Sequence, residues 1–122
     1  MTQTPLCALP ARLGVRALIQ CAMEMEAAPF MEALGPGARV STVGDASTHT
    51  QTFATGEIDG STVMVVTSGI GLVNAASATA RALMLVDPDV VIAAGTTGGL
   101  GVDVEVGDIA VGTATLYSAA DA

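Results

Sequence analysis

Short apolar runs separated by polar turns recur along this chain, and their lengths are typical of buried β-strands. Three runs rich in Val, Ile and Ala predict strands covered on both faces: Val15–Cys21, Ser61–Thr67 and Val90–Ala94. Weaker patterns predict three further strands over Arg39–Val43, Thr50–Ile58 and Asp108–Leu116. Asp59-Gly60 separates two of the predicted strands and predicts a tight hairpin, because both residue types accept a positive φ.

Two segments have helical patterns. The first is expected to begin near Met25 or Glu26, because Pro29 is best tolerated in a first turn, and to end before Gly35. The second runs from about Leu72 to Val86 and is apolar almost all round, which predicts burial, often against another subunit. A turn at Asp87–Asp89 is expected to end it.

The order β-α-β-β-β-α-β-loop-β predicts an α/β fold with a mixed, largely parallel, twisted sheet and flanking helices. Val90–Ala94 is expected to be a central buried strand. Residues 1–14 are interpreted as a flexible leader, and 15–122 as one unit. Two helices are too few to cover both faces of such a sheet, so the unit is expected to be incomplete in this chain.

Composition and charge exclude several function classes. The net charge is −8, with only four basic residues, so a nucleic-acid partner is not expected. No apolar run is long enough to cross a bilayer. Cys7 and Cys21 are interpreted as free thiols of a cytoplasmic protein. With a single histidine and no His/Cys cluster, neither a metal nor a cofactor is expected.

Three turns lie at predicted carboxyl ends of strands, where α/β folds bind ligands. Ala22–Glu26 carries two glutamates, which either complement the helix dipole or supply one general base. Ser68–Gly71 is either a tight glycine turn or a place where a ligand approaches closely, and its match to a dinucleotide fingerprint is weak. Gly95–Gly101 is either a structural loop or a nest of N–H groups and hydroxyls that bind a ligand.

The turns and strands together resemble a known family. Ile19–Glu26 (IQCAMEME), Ser68–Gly71 (SGIG), Pro88–Leu100 (PDVVIAAGTTGGL) and Val106–Ile109 (VGDI) are similar to the purine nucleoside phosphorylase/nucleosidase superfamily, and within it to the bacterial methylthioadenosine/S-adenosylhomocysteine nucleosidases. The resemblance runs from Val15 to Ala122 and covers about the first half of the family's chain. It implies a three-layer sandwich and, by the family's habit, a homodimer.

The resemblance also implies roles for individual residues. Glu26 matches the glutamate that activates the attacking water. Seven positions match the family's substrate contacts: Ala22 and Met23 beside the nucleophile and ribose, Ile70 at the thio-substituted sugar end, Thr96, Thr97 and Gly98 beside ribose and base, and Ala122 near the purine. The segment from Tyr117 to Asp121 departs from the family pattern by losing a His and an Asp.

The activity implied is hydrolysis of the N-glycosidic bond of methylthioadenosine or S-adenosylhomocysteine, which releases adenine. A phosphorylase is the alternative, but Ala93 stands where relatives of that kind have a phosphate-binding arginine. The family's purine-protonating aspartate and ribose-binding glutamate belong to its second half, so the 122-residue chain alone is expected to be inactive. A non-catalytic nucleoside-binding or dimerisation module is the remaining alternative.

Overall fold

The computed structural model describes residues 11–45, 47 and 49–118, and these contain five strands and two helices. The predicted leader, up to residue 10, lies outside the described residues. In chain order the elements are β1 Leu13–Cys21, α1 Glu24–Leu34, β2 Arg39–Val43, β3 Gln51–Ile58, β4 Ser61–Thr67, α2 Leu72–Leu85 and β5 Val86–Ala93.

The strands form one mixed sheet in the order β2-β3-β4-β1-β5. β1 is parallel to both β4 and β5, whereas β2, β3 and β4 form an antiparallel meander. The turn from β3 to β4 is the predicted hairpin: Asp59 and Gly60 have φ of 49° and 80°, as a type I′ turn requires. The predicted mixed α/β sheet is therefore confirmed, and its parallel part is centred on β1.

One helix covers each face of the sheet, so the predicted three layers are present. On one face Ala27 and Leu34 of α1 pack on apolar side chains of β1, β3 and β4. On the other face Ala78 and Ala82 of α2 pack on Leu18 and its neighbours. The two alanines lie one helical turn apart, and their small size lets the helix backbone approach the sheet closely. The buried side chains of both clusters come mainly from the continuous apolar runs.

The predicted position of the Val90–Ala94 strand is wrong. β5 is the edge strand of the described sheet, and Val90, Val91 and Ile92 are each nearly half exposed. The strand also begins earlier than expected and includes the Asp-Pro-Asp segment interpreted as a turn. Proline has no N–H to donate, and an edge strand tolerates this because one of its sides needs no partner.

Two further expectations are corrected. Residues 108–116 form no strand: they pair with neither edge of the described sheet, and Ile109, Val111 and Leu116 are highly exposed. Helix α2 is not buried all round: Leu72 and Val73 in its first turn are largely exposed. Part of the apolar surface of α2 is therefore not buried against this sheet.

Across the described residues, no helix is both long and apolar enough to cross a bilayer. The same part of the chain contains no group of three or more His, Cys, Asp or Glu side chains that could hold a metal ion.

Candidate functional site

The turn after β1 places the carboxylate of Glu26 against two backbone N–H groups. Met23 is the N-cap of α1, so Glu26 occupies the third helical position, from which a side chain reaches back to the cap. Its Oε2 accepts hydrogen bonds from the N–H of Ala22 and of Met23, both at 3.1 Å. The helix start therefore fixes one side of the carboxylate.

The loop after β5 holds the other side of the same carboxylate. Oε1 accepts from the N–H of Thr96 at 3.0 Å and from its hydroxyl at 2.9 Å. A Cβ at Gly95 would lie 3.1 Å from Oε1, so the glycine lets the loop come this close. Residues 70 positions apart in the chain thus meet at Glu26, as expected if these two turns form one site.

These four donors keep Glu26 ionised. The pKa of its carboxyl lies below the usual range of a glutamate, chiefly because the Thr96 N–H donates to it. The Thr96 hydroxyl and the N–H groups of Met23 and Ala22 act in the same direction, and desolvation opposes them. A carboxylate has about four lone-pair directions, and these donors fill them. Glu24, in contrast, is exposed on the first turn of α1, so the two glutamates have different surroundings.

The turn after β4 runs beside the turn after β1. The N–H of Ser68 donates to the Cys21 carbonyl and that of Gly69 to the Ala22 carbonyl, both at 2.9 Å. These bonds continue the parallel pairing of β1 and β4 past the ends of the strands. Gly69 has φ of 90°, a value that strains any residue with a Cβ. The turn leaves Ile70 largely exposed beside the Glu26 turn.

A buried polar network supports the Ser68 turn from below. Ser68 is fully buried, and its hydroxyl accepts from the side-chain amide of Gln20 at 2.7 Å. Gln51, at the start of β3, is also buried and donates to the carbonyls of Ser68 and Asn74 and to the hydroxyl of Ser77. Its carbonyl oxygen accepts from Arg81 at 2.6 Å. Gln51 therefore joins β3, the Ser68 turn and α2.

Residues of the turns after β1 and β4 line an open cleft of about 610 Å³. Ala22 and Met23 line it on one side and Ile70 on the other. His49, from the connection between β2 and β3, and Asn74, from the first turn of α2, complete the polar part of its wall. The backbone groups that hold Glu26 thus border this cleft.

The predicted contact residues do not all share this cleft. Ala22, Met23 and Ile70 line it, and Thr96 contacts Glu26. Thr97 and Gly98 instead line a separate hollow of about 570 Å³ formed with residues 104–110. Ala122 lies outside the described residues. The structure therefore brings together the predicted residues of the first two turns and Thr96, but not those that follow Thr96.

His49 and Gln51 were missed by the sequence analysis. Both precede or begin an antiparallel strand, far from any glycine-rich turn. Their position at this end of the sheet follows from pairing of Thr52 with Thr67, which puts the start of β3 beside the end of β4. Recognising that the hairpin reverses the chain at Asp59-Gly60 would have predicted this placement.

The charges around the cleft are acidic. No arginine is among the described residues that line it, whereas Glu24 is. Arg12 and Arg16 pair with Asp87 and Asp89 of β5, at the opposite end of the strand from the Thr96 loop. The cleft as described therefore offers no guanidinium to an anion.

Cys21, the last residue of β1, is buried beneath this site. Burial raises the pKa of its thiol to about 11, and the negative charge of Glu26 acts in the same direction. A thiol in this state is a poor nucleophile.

Comparison with known proteins identifies relatives of this chain. The sequence model of the Phosphorylase superfamily matches residues 16–122. A 5′-methylthioadenosine/S-adenosylhomocysteine nucleosidase of Chromohalobacter salexigens is 42% identical over 71 residues, which are 58% of this chain and 30% of that protein. The chain thus spans about a third of the length of the curated relatives it matches.

Two solved structures are similar to this chain in fold. One is the nucleosidase of Neisseria meningitidis in complex with methylthio-immucillin-A, with a TM-score of 0.57 and 34% identity over 76% of this chain and 38% of that one. The other is the nucleosidase of Colwellia psychrerythraea in complex with adenine, with a TM-score of 0.58 and 37% identity over 77% of this chain and 36% of that one. Both similarities confirm the fold expected from the sequence.

Proposed function

The chain belongs to the phosphorylase superfamily, and from that premise we propose that it is the N-terminal part of a nucleosidase. By full-length protein we mean one that contains this chain and the remaining length of its relatives. This protein hydrolyses the N-glycosidic bond of methylthioadenosine and S-adenosylhomocysteine and releases adenine. Relatives that carry this activity in their names, and structures of two of them with a nucleoside analogue and with adenine, support the choice of substrate.

The observation that carries the proposal is the carboxylate of Glu26, held between two strand-end turns by four N–H and O–H donors. Hydrolysis of this bond requires a group that orients and deprotonates water opposite the departing base. Glu26 is ionised, and Ala22 and Met23, whose N–H groups bind its carboxylate, line the cleft. Its low basicity favours orientation of the water, with proton transfer completed as positive charge develops on the sugar.

The water must replace one of the donors that Glu26 already has. The N–H groups of Ala22, Met23 and Thr96 are fixed by the backbone, whereas the Thr96 hydroxyl can leave Oε1 by a change of its χ1 rotamer. We therefore propose that the water displaces the Thr96 hydroxyl from its hydrogen bond to Oε1. Once displaced, the hydroxyl can bind the water or a ribose oxygen.

Charge favours water over phosphate as the nucleophile. A phosphorylase holds a phosphate dianion, which needs cationic side chains close to the sugar. In the described part of the cleft wall the charged residue is Glu24, and the Glu26 carboxylate is adjacent. Both would repel phosphate.

The part of the protein beyond this chain completes the proposed site. Departure of the purine needs an acid on the face opposite Glu26. We propose that the missing acid, and the group that binds the ribose hydroxyls, come from that part. We also propose a homodimer, supported by the exposed Leu72 and Val73 of α2, and a cytoplasmic role in methionine salvage.

Adenine release by the full-length protein tests the proposal. We expect chromatography to detect adenine from methylthioadenosine with or without phosphate, and Glu26→Gln to lower kcat by at least about a hundredfold, the usual scale for loss of a general base. Glu32→Gln is the matched control, since Glu32 is exposed on the same helix and remote from the cleft.

Three outcomes would contradict the proposal. Release that requires phosphate would make the protein a phosphorylase. Binding of adenosine without any release would make it a non-catalytic module. Full activity of the Glu26→Gln protein would remove Glu26 from the mechanism and leave it as a helix cap.

A further inference from the structure

His49 comes from outside the three turns yet lies directly on one of them. Its Nε2 is 3.0 Å from the carbonyl oxygen of Ser68, and its ring occupies the space that a Cβ on Gly69 would need. The side chain of Asn74 lies on the same side of Gly69 and donates to the Ile70 carbonyl at 2.8 Å. The two polar side chains therefore stand together beside Ile70 in the cleft wall.

The hydrogen bond to Ser68 fixes which nitrogen of the ring carries a proton. A carbonyl oxygen only accepts, so Nε2 is the donor. In the neutral ring Nδ1 then accepts a hydrogen bond, and in the charged ring it donates one. The ring is exposed, so a ligand in the cleft can reach it.

The position of these side chains matches one end of the proposed substrates. Ile70 is the residue whose family counterpart contacts the thio-substituted end of the sugar. Methylthioadenosine carries only a methyl group there, whereas S-adenosylhomocysteine carries an amino acid with a carboxylate and an ammonium group. A wall made only of Met23 and Ile70 would suit the methyl group and leave the amino acid unpaired.

We infer that His49, together with Asn74, binds the amino-acid end of S-adenosylhomocysteine and so determines the preference of this protein between its two substrates. The second N–H of the Asn74 amide donates to the α-carboxylate, which the neighbouring acidic side chains would otherwise repel, and Nδ1 of the neutral His49 ring accepts a hydrogen bond from the α-ammonium group. Glu24, which lines the same cleft, accepts from the α-ammonium group. This inference rests on the proposed function, because it takes the substrates from it.

Paired substrates test the inference in the full-length protein. We expect His49→Phe, which keeps a ring over Gly69 but has no ring nitrogen, to lower kcat/KM for S-adenosylhomocysteine about tenfold, the effect of losing one hydrogen bond to a charged group. For methylthioadenosine kcat/KM should change less than about twofold. His49→Gln, whose amide oxygen keeps an acceptor, should recover part of the loss, and Thr50→Val serves as the control on the same connection.

A purely structural role predicts a different pattern. If His49 only supports the Ser68 carbonyl, His49→Phe will lower kcat/KM for both substrates in parallel, and the inference is overturned. Equal kinetics of the wild type and His49→Phe with both substrates overturns it as well.

Calorimetry separates this inference from the proposed function. If neither substrate releases adenine, the proposed function fails, but the two nucleosides can still be titrated into the protein. His49→Phe must then weaken binding of S-adenosylhomocysteine about tenfold and leave that of methylthioadenosine unchanged. Equal affinities in both proteins refute the role of His49 independently of turnover.

Discussion

Replacing Gln51 tests the buried network that supports the Ser68 turn. The amide of Gln51 has two N–H groups and shares them among three acceptors: the Ser68 carbonyl at 3.3 Å, the Asn74 carbonyl at 3.3 Å and the Ser77 hydroxyl at 2.9 Å. The side chain is only 3% exposed, so water cannot replace these bonds without opening the turn. Gln51→Met keeps the length of the side chain and removes its donors and acceptor.

The structure sets the size of the effect. Two N–H bonds are lost, each worth about 0.5–1.5 kcal/mol net, while the bond from Arg81 adds little because that side chain is exposed. The Ser68 carbonyl keeps His49 as a donor, so it is not left unpaired. We therefore expect Gln51→Met to lower the free energy of unfolding by about 2 kcal/mol, or roughly 4–8 °C in Tm for a protein of the relatives' length.

Gln51→Glu provides the decisive comparison. An ionised carboxylate still accepts from Arg81, but it donates nothing and faces the two carbonyl oxygens that the amide served. We expect this variant to be less stable than Gln51→Met at pH 7. The deficit should shrink towards pH 5, because the surrounding acceptors raise the pKa of the introduced carboxyl and protonation restores one donor.

Chemical denaturation of the full-length protein at both pH values measures these differences, with exposed Glu57→Gln as the control. If Gln51→Glu is as stable as the wild type at pH 7, the donor role of Gln51 is refuted.

Two further predictions concern Glu26 and Cys21. The titration midpoint of Glu26, followed by carbon NMR of its carboxyl, should lie below the usual glutamate pKa of about 4.3, and Thr96→Val should raise the midpoint by removing the hydroxyl donor. Because folding lowers the pKa of Glu26, the stability that its carboxylate contributes is fully present above the usual pKa. This stability is lost as the pH falls through the lowered pKa. A normal midpoint that Thr96→Val leaves unmoved would contradict the geometry. In a Cys7→Ser background, Cys21 should resist a thiol reagent at pH 8. The thiol is fully buried, and with a pKa of about 11 only about a thousandth of it is thiolate at that pH. Labelling as fast as in the unfolded protein would refute its burial.

The sequence predicted best those elements whose conformation depends on their own residues. The apolar runs of β1 and β4 and the Asp59-Gly60 turn each encode their own conformation. The predicted strand at 108–116 fails because a strand also needs a neighbour, and β propensity does not supply one. For the same reason nothing in Val90–Ala94 could reveal that β5 lies at the edge of the described sheet.

The candidate site was predictable only where its residues lie in the turns themselves. Glu26 and Thr96 follow parallel strands, and parallel neighbours end at the same edge. His49 and Gln51 reach the site through an antiparallel meander, so their placement follows from the register that the Asp59-Gly60 turn sets and not from a motif at the residues themselves. Polar residues of this kind are visible in a sequence only as loop or strand-start residues.

The turns after β1, β4 and β5 converge because backbone hydrogen bonds hold them together. Side-chain substitutions are therefore expected to have little effect on the positions of these turns. The parallel ladder extends past the strands on both sides of β1: the Ser68 N–H donates to Cys21, and the Ala94 N–H donates to the Gln20 carbonyl at 2.9 Å. These backbone bonds position the turns after β4 and β5 without any side-chain contact. Glu26 then closes the arrangement by binding the Thr96 N–H. We therefore expect substitutions in the cleft wall, at positions such as His49, to leave the Glu26 carboxylate in its place.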